Sequence, residues 1–159
     1  MKKWTILKGC HYSNFIPSIR LLKEETVFTE TIEFTNSCRY YIEEASCVNK
    51  LFGFCFGLFG VHKNSARFGW KYNTSTSKID ILEYYYKDGK LIKNPVAEIS
   101  IGEKIAYRIK VTKQQVTLYI NNKPVSTMQF DVKKKLLLTL GFYFGGNTRA
   151  PHTMNVNKY

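Results

Sequence analysis

The sequence predicts an all-β protein, a two-layer antiparallel β-sandwich formed as one domain over residues 1–159. Three observations carry that expectation. Apolar and polar residues alternate with a period of two over most of the chain, which is the signature of strands with one wet face. Turn residues recur at short intervals, at Asp88-Gly89, residues 101–104, Gly145-Gly146 and residues 150–152. Aromatic residues make up 15% of the chain, and they favour pleated, half-buried surfaces.

From the N-terminus, residues 12–18 are rich in loop formers, and residues 19–25, IRLLKEE, have the composition for about two helical turns. β-Branched and aromatic residues take over at once, so residues 26–35 are predicted as a strand. The run LFGFCFGLFGV at 51–61 holds three glycines and is far shorter than the roughly 20 residues of a spanning helix, so it is predicted as a buried strand pair or turn. The stretch 68–90 is predicted as two adjacent strands, with Phe68 and Trp70 in the core and Arg67, Lys71 and Asn73 on the opposite face. Residues 104–112 place Ile105, Tyr107, Ile109 and Val111 on one face, and residues 115–121 repeat the pattern. The two form a hairpin, and Asn121-Asn122-Lys123 turns the chain into a further strand. Residues 136–144 are apolar on both faces, as in a central strand. Leu136, Leu138, Leu140, Phe142 and Phe144 are expected on one side, with Gly141 at a bulge.

The net charge is +12, with 24 basic against 12 acidic side chains, so polyanions are the expected partners. The charge is spread evenly: residues 1–79 carry 11 basic and 6 acidic groups, and residues 80–159 carry 13 and 6. The one basic run, Lys133 to Lys135, reads as a solvated turn, and no signature of sequence-specific nucleic-acid binding is present. Four cysteines without a CxxC or zinc spacing predict reduced thiols and no metal or other cofactor. The N-terminus lacks the long apolar stretch of a signal peptide, so the expectation is cytoplasmic synthesis, incorporation into a larger assembly being compatible with it, and no membrane insertion.

The order NKLFGFCFG, SARFGWKYN, KIDILEYYYKDGK, GEKIAYRIKV, QVTLYINNK and LGFYFGGNTRAPHTMNV resembles the concanavalin A-like jelly rolls over residues 26–159. That superfamily takes in laminin G-like modules, lectins, laminarinase-type hydrolases and polysaccharide lyases. The resemblance implies a curved sheet whose concave face and rim hold a glycan. Within it, KIDILE at 78–83 looks like the EIDxxE motif of the laminarinase-type enzymes. Asp80 and Glu83 match its second and third positions, and Lys78 stands where the nucleophilic Glu would be. A retaining glycosidase needs two carboxylates about 5 Å apart, and an ammonium supplies neither role, so this chemistry is disfavoured.

Binding without catalysis asks only for aromatic surface and polar groups beside it. The candidate ligand-binding residues are His62, Arg67, Lys71, Asn73, Asp80, Glu83, Arg108, Tyr119, Tyr143, Asn147 and Arg149, with no catalytic residue assigned. His62 and the Gly-rich segment 145–152 are taken as rim loops, where function concentrates. His11 and His152 are expected to be surface or hydrogen-bonded histidines. The function predicted is a non-catalytic carbohydrate-binding module that favours acidic glycans. Two alternatives stand beside it: a structural module of a virion or assembly that meets protein partners, and a lyase acting on uronate polymers. The lyase would draw on Arg67, His62, Tyr85, Tyr119 and Tyr143 to neutralise a carboxylate and remove a proton.

Overall fold

A computed structural model describes residues 2–42, 47–131 and 135–159. Its strands are β1 (Lys2–Ile6), β2 (Ile19–Leu21), β3 (Glu25–Phe34), β4 (Asn49–Phe56), β5 (Ser65–Asn73), β6 (Lys78–Lys87), β7 (Lys90–Ile99), β8 (Lys104–Thr112), β9 (Gln115–Ile120), β10 (Lys123–Gln129), β11 (Leu136–Leu140) and β12 (Met154–Lys158). They form two six-stranded sheets. One, the back sheet, runs β1-β12-β3-β8-β9-β10; the other, the front sheet, runs β2-β11-β4-β5-β6-β7. All the strand pairings are antiparallel. Lys133 and Lys134 of the basic run lie outside the described residues.

The two inner faces meet in one apolar core, as the alternation demands. Phe68 and Trp70 of β5 are fully buried there with Phe52, Phe54, Tyr107 and Ile109. Trp70 stacks on Phe142 at 5.5 Å, and its contact with Phe34 of β3 at 5.3 Å ties the front sheet to the back one. The predicted hairpin is β8 and β9, paired from Tyr107↔Ile120 to Val111↔Val116.

The structure corrects three expectations. Residues 19–21 form an edge strand against β11, because pairing with Leu136–Leu138 satisfies backbone groups that an isolated two-turn helix would leave open. Residues 136–144 are not one uniform strand. Leu137 points inward while Leu136, Leu138 and Leu140 point outward; β11 then ends, and the irregular segment after it returns Phe142 and Phe144 to the core. Gly141 sits at this break, where a Cβ would fall 2.1 Å from the Phe15 ring, so close approach of that ring is what requires glycine. The N-terminal residues, Trp4 and Ile6 above all, also join the core through β1, beyond the 26–159 span of the resemblance.

Candidate functional site

The outer face of the front sheet gathers the polar and aromatic residues that the core rejects. On β5 these are Ser65, Arg67, Gly69, Lys71 and Asn73; across from them on β6 stand Tyr86, Tyr84, Leu82, Asp80 and Lys78. On β4, Cys55, Gly53 and Lys50 face the same way, opposite Ser65, Arg67 and Gly69. A bulge between Lys50 and Gly53 makes this arrangement, since it returns Phe54 to the core while keeping Lys50 outward. Gly53 is needed at that point: a Cβ there would fall 2.1 Å from the Ala66 carbonyl oxygen and 2.6 Å from the Arg67 Cα.

Two cations occupy the centre of this face. Arg67 is only 6% exposed and Lys50 only 8%. Both approach the Tyr84 ring, Arg67 at 5.5 Å and Lys50 at 5.0 Å from its centroid, and Lys50 also lies 5.1 Å from the Tyr143 ring. The aromatic faces partly replace the water these charges have lost. Lys50 Nζ donates to the Gly145 carbonyl at 2.9 Å, whereas the Arg67 Nε is buried without a hydrogen-bond partner. Among the described residues no carboxylate pairs with either cation. Burial, and then repulsion from Arg67, brings the Lys50 ammonium down to about 8 from its usual 10.5. Burial also lowers Arg67 and raises Tyr143.

Two loops wall the centre. The His11 ring stacks on Tyr143 at 5.4 Å and is fixed by an Nδ1–H donated to the Phe144 carbonyl at 2.9 Å. Tyr12 meets the Tyr143 edge at 5.0 Å. On the other side the His62 ring stands against Tyr86 at 5.0 Å. Gly145 takes φ +78°, and a Cβ on it would fall 1.9 Å from the Thr148 carbonyl oxygen, so the loop that offers its carbonyl to Lys50 depends on glycine.

Next to this centre the same face opens into a cavity of about 350 Å³. Its lining includes Tyr41, Cys47, Lys71, Tyr72, Asn73 and Asp80. Asn73 Nδ2 donates to both Asp80 carboxylate oxygens, at 3.4 and 3.2 Å. Lys78 is engaged with Glu98 at 2.9 Å.

The structure thus brings Arg67, Lys71, Asn73, Asp80, Tyr143 and His62 onto one side, but it separates others. Glu83 lies on the opposite face of β6, across from Phe68, because β6 is regular and a three-residue step changes sides. There Tyr85 donates to Ser126 at 2.8 Å, Ser126 donates to Glu83, and Asn94 donates to Glu83 at 2.5 Å. Tyr85 is therefore a core residue. Arg108 and Tyr119 pair on the outer face of the back sheet, with the guanidinium 4.1 Å from the Tyr119 ring. The expected sharing of one surface with Arg67 fails, since the whole core lies between them. Asn147 and Arg149 are exposed on the loop after β11, where Arg149 donates to the Gly9 carbonyl at 3.4 Å. His152 is held by the Ser37 carbonyl at 2.8 Å. Sequence reasoning missed Lys50, Tyr84 and His11. Lys50 precedes an apolar run whose bulge decides its direction, and His11 reaches the face only through the fold.

No protein-family model matches the chain, and no curated protein matches it in sequence. Solved structures do match in shape. Alginate lyase AlyC3 in complex with dimannuronate superposes with a TM-score of 0.62 at 12% identity, over 86% of this chain and 62% of that one. The alginate lyase from Klebsiella pneumoniae gives 0.59 at 13%, over 85% and 57%. A Bacteroides ovatus GH16 protein in complex with its G4G4G3G product gives 0.57 at 10%, over 98% and 77%. The chain therefore spans less than two thirds of either lyase. The fold is a concanavalin A-like jelly roll.

Proposed function

We propose that the protein binds an acidic glycan, a uronate-containing oligosaccharide, on the outer face of the front sheet. The observation that carries this reading is the pair Lys50 and Arg67: two buried cations with aromatic neighbours and no described carboxylate partner. A buried, uncompensated charge is costly, and such a pair is retained where a ligand supplies the missing anion. A sugar carboxylate about 4 Å from such a cation gains on the order of 4 kcal/mol at an effective dielectric of about 20, before its own desolvation. Tyr86 and Tyr143 offer ring faces and hydroxyls beside that position. The likeness in shape to a lyase solved with dimannuronate supports the choice of ligand class.

The test is calorimetric titration with uronate tetrasaccharides at low salt. The wild type is expected to bind, and Arg67→Ala to lose affinity by about thirtyfold or more (about 2 kcal/mol) while keeping its circular dichroism. Equal affinity in a folded Arg67→Ala protein contradicts the reading.

A second reading is favoured by one observation, the joint presence of Lys50, Tyr143 and His11 beside Arg67. Arg67 would neutralise the uronate carboxylate. A neutral Lys50 amine or His11 ring would take the C5 proton, the C4–O bond would break as the C4=C5 double bond forms, and Tyr143 would return a proton to the leaving oxygen. Rising absorbance of the unsaturated product during incubation with uronate polymers supports elimination. A flat trace across mannuronate, guluronate, galacturonate and glucuronate polymers removes this reading and leaves binding in place.

A further inference from the structure

We infer that the face reads an alternating glycan, with a uronate at the Lys50–Arg67 centre and a neutral or N-acylated sugar in the adjoining cavity. The inference rests on the acidic-glycan reading above and specifies its substrate class. Its basis is the difference in charge between two parts of one surface. At the centre, Lys50 and Arg67 stand without a described carboxylate. In the cavity, Lys71 lies directly across the strands from Asp80; the next acid on that row, Glu98 of β7, lies outside the lining and holds Lys78. Among the described lining residues one cation, Lys71, faces one carboxylate, Asp80, so no surplus positive charge remains for a second uronate.

The cavity instead offers what an uncharged sugar takes. Asp80 accepts hydroxyl or amide protons, Asn73 is already oriented by it, and Tyr41, 76% exposed, presents aromatic surface. Arg67 and Lys71 are four residues apart on β5, or about 13 Å at roughly 3.3 Å per residue. The two parts are continuous: Cys47 and Gly145 line the cavity, and the Gly145 carbonyl accepts the Lys50 hydrogen bond.

A merely basic surface ranks oligosaccharides by their charge, and this arrangement does not. The experiment titrates the protein with an alternating glucuronate–N-acetylglucosamine tetrasaccharide and with tetragalacturonate, at one fixed salt concentration. The alternating ligand, despite its fewer carboxylates, is expected to bind about tenfold tighter, as about 1.4 kcal/mol of repulsion and lost hydration sets. Asp80→Asn is expected to erase that preference, chiefly by tighter binding of tetragalacturonate. Equal or tighter binding of tetragalacturonate by the wild type overturns the inference and leaves the cationic centre standing. Binding of neither overturns both.

Discussion

Lys50 is the residue at which burial and chemistry meet. Its ammonium is held down to about 8, so binding of an anion is expected to weaken as pH rises from 7 to 9. A Lys50→Met variant is expected to start weaker and to lose that pH dependence; isothermal titration across the range checks this. Stability carries the opposite sign. The unfolded chain keeps the lysine proton up to about 10.5 while the native protein loses it above about 8. Between those values the unfolded state binds more protons, and this residue's contribution to stability rises with pH. Below pH 8 the cost of the buried cation is fully present, so Lys50→Met is expected to raise the urea midpoint most at pH 7 and least near pH 10. Arg67 was legible in the sequence because it alternates with Phe68 and Trp70. Lys50 was not, because a bulge decides its direction and a bulge leaves no periodic mark.

At the scale of elements, β4 and β5 position the site, and at Gly53 the backbone of β5 leaves no room for a side chain. Gly53→Ala would press a methyl group onto the Ala66 carbonyl, and overpacking of this kind costs roughly 1–3 kcal/mol. Urea unfolding is expected to show that loss together with weaker glycan binding, since Arg67 must shift. Ser126 offers the converse case. It links Tyr85 and Glu83 between the sheets, away from the site. Ser126→Ala is expected to cost about 1–2 kcal/mol in the same assay while affinity stays unchanged. The strands with clean alternation, β3, β8 and β9, could be read from the sequence. The edge strands β1, β2 and β7 could not: β2 is three residues long, and β7 carries Pro95 beside a register shift in its pairing with β6. The same limit applies to the EIDxxE-like motif. Its three-residue step puts Asp80 and Glu83 on one face only if a bulge falls inside β6, and β6 pairs without one against β5.

At the scale of the whole molecule, the two outer faces differ in kind. The back sheet carries exposed ion pairs such as Lys110 with Glu25, and Arg108 rests against Tyr119. The front sheet buries its central cations without such partners among the described residues. The net charge of +12 concerns long-range attraction and is screened by salt, whereas the Lys50–Arg67 centre is shielded from solvent. Glycan affinity is therefore expected to fall with salt and then level off, and calorimetry at increasing sodium chloride checks that plateau. The sequence shows a basic chain; only the assembled sheet shows that two buried cations, Lys50 and Arg67, lie together on one face. The most direct test is a nuclear magnetic resonance titration of the labelled protein with the alternating uronate tetrasaccharide. The account predicts saturable shifts at the Arg67 side chain and at the Tyr84 and Tyr143 rings. Shifts confined to Arg108 and Tyr119, or none at any concentration, would contradict it.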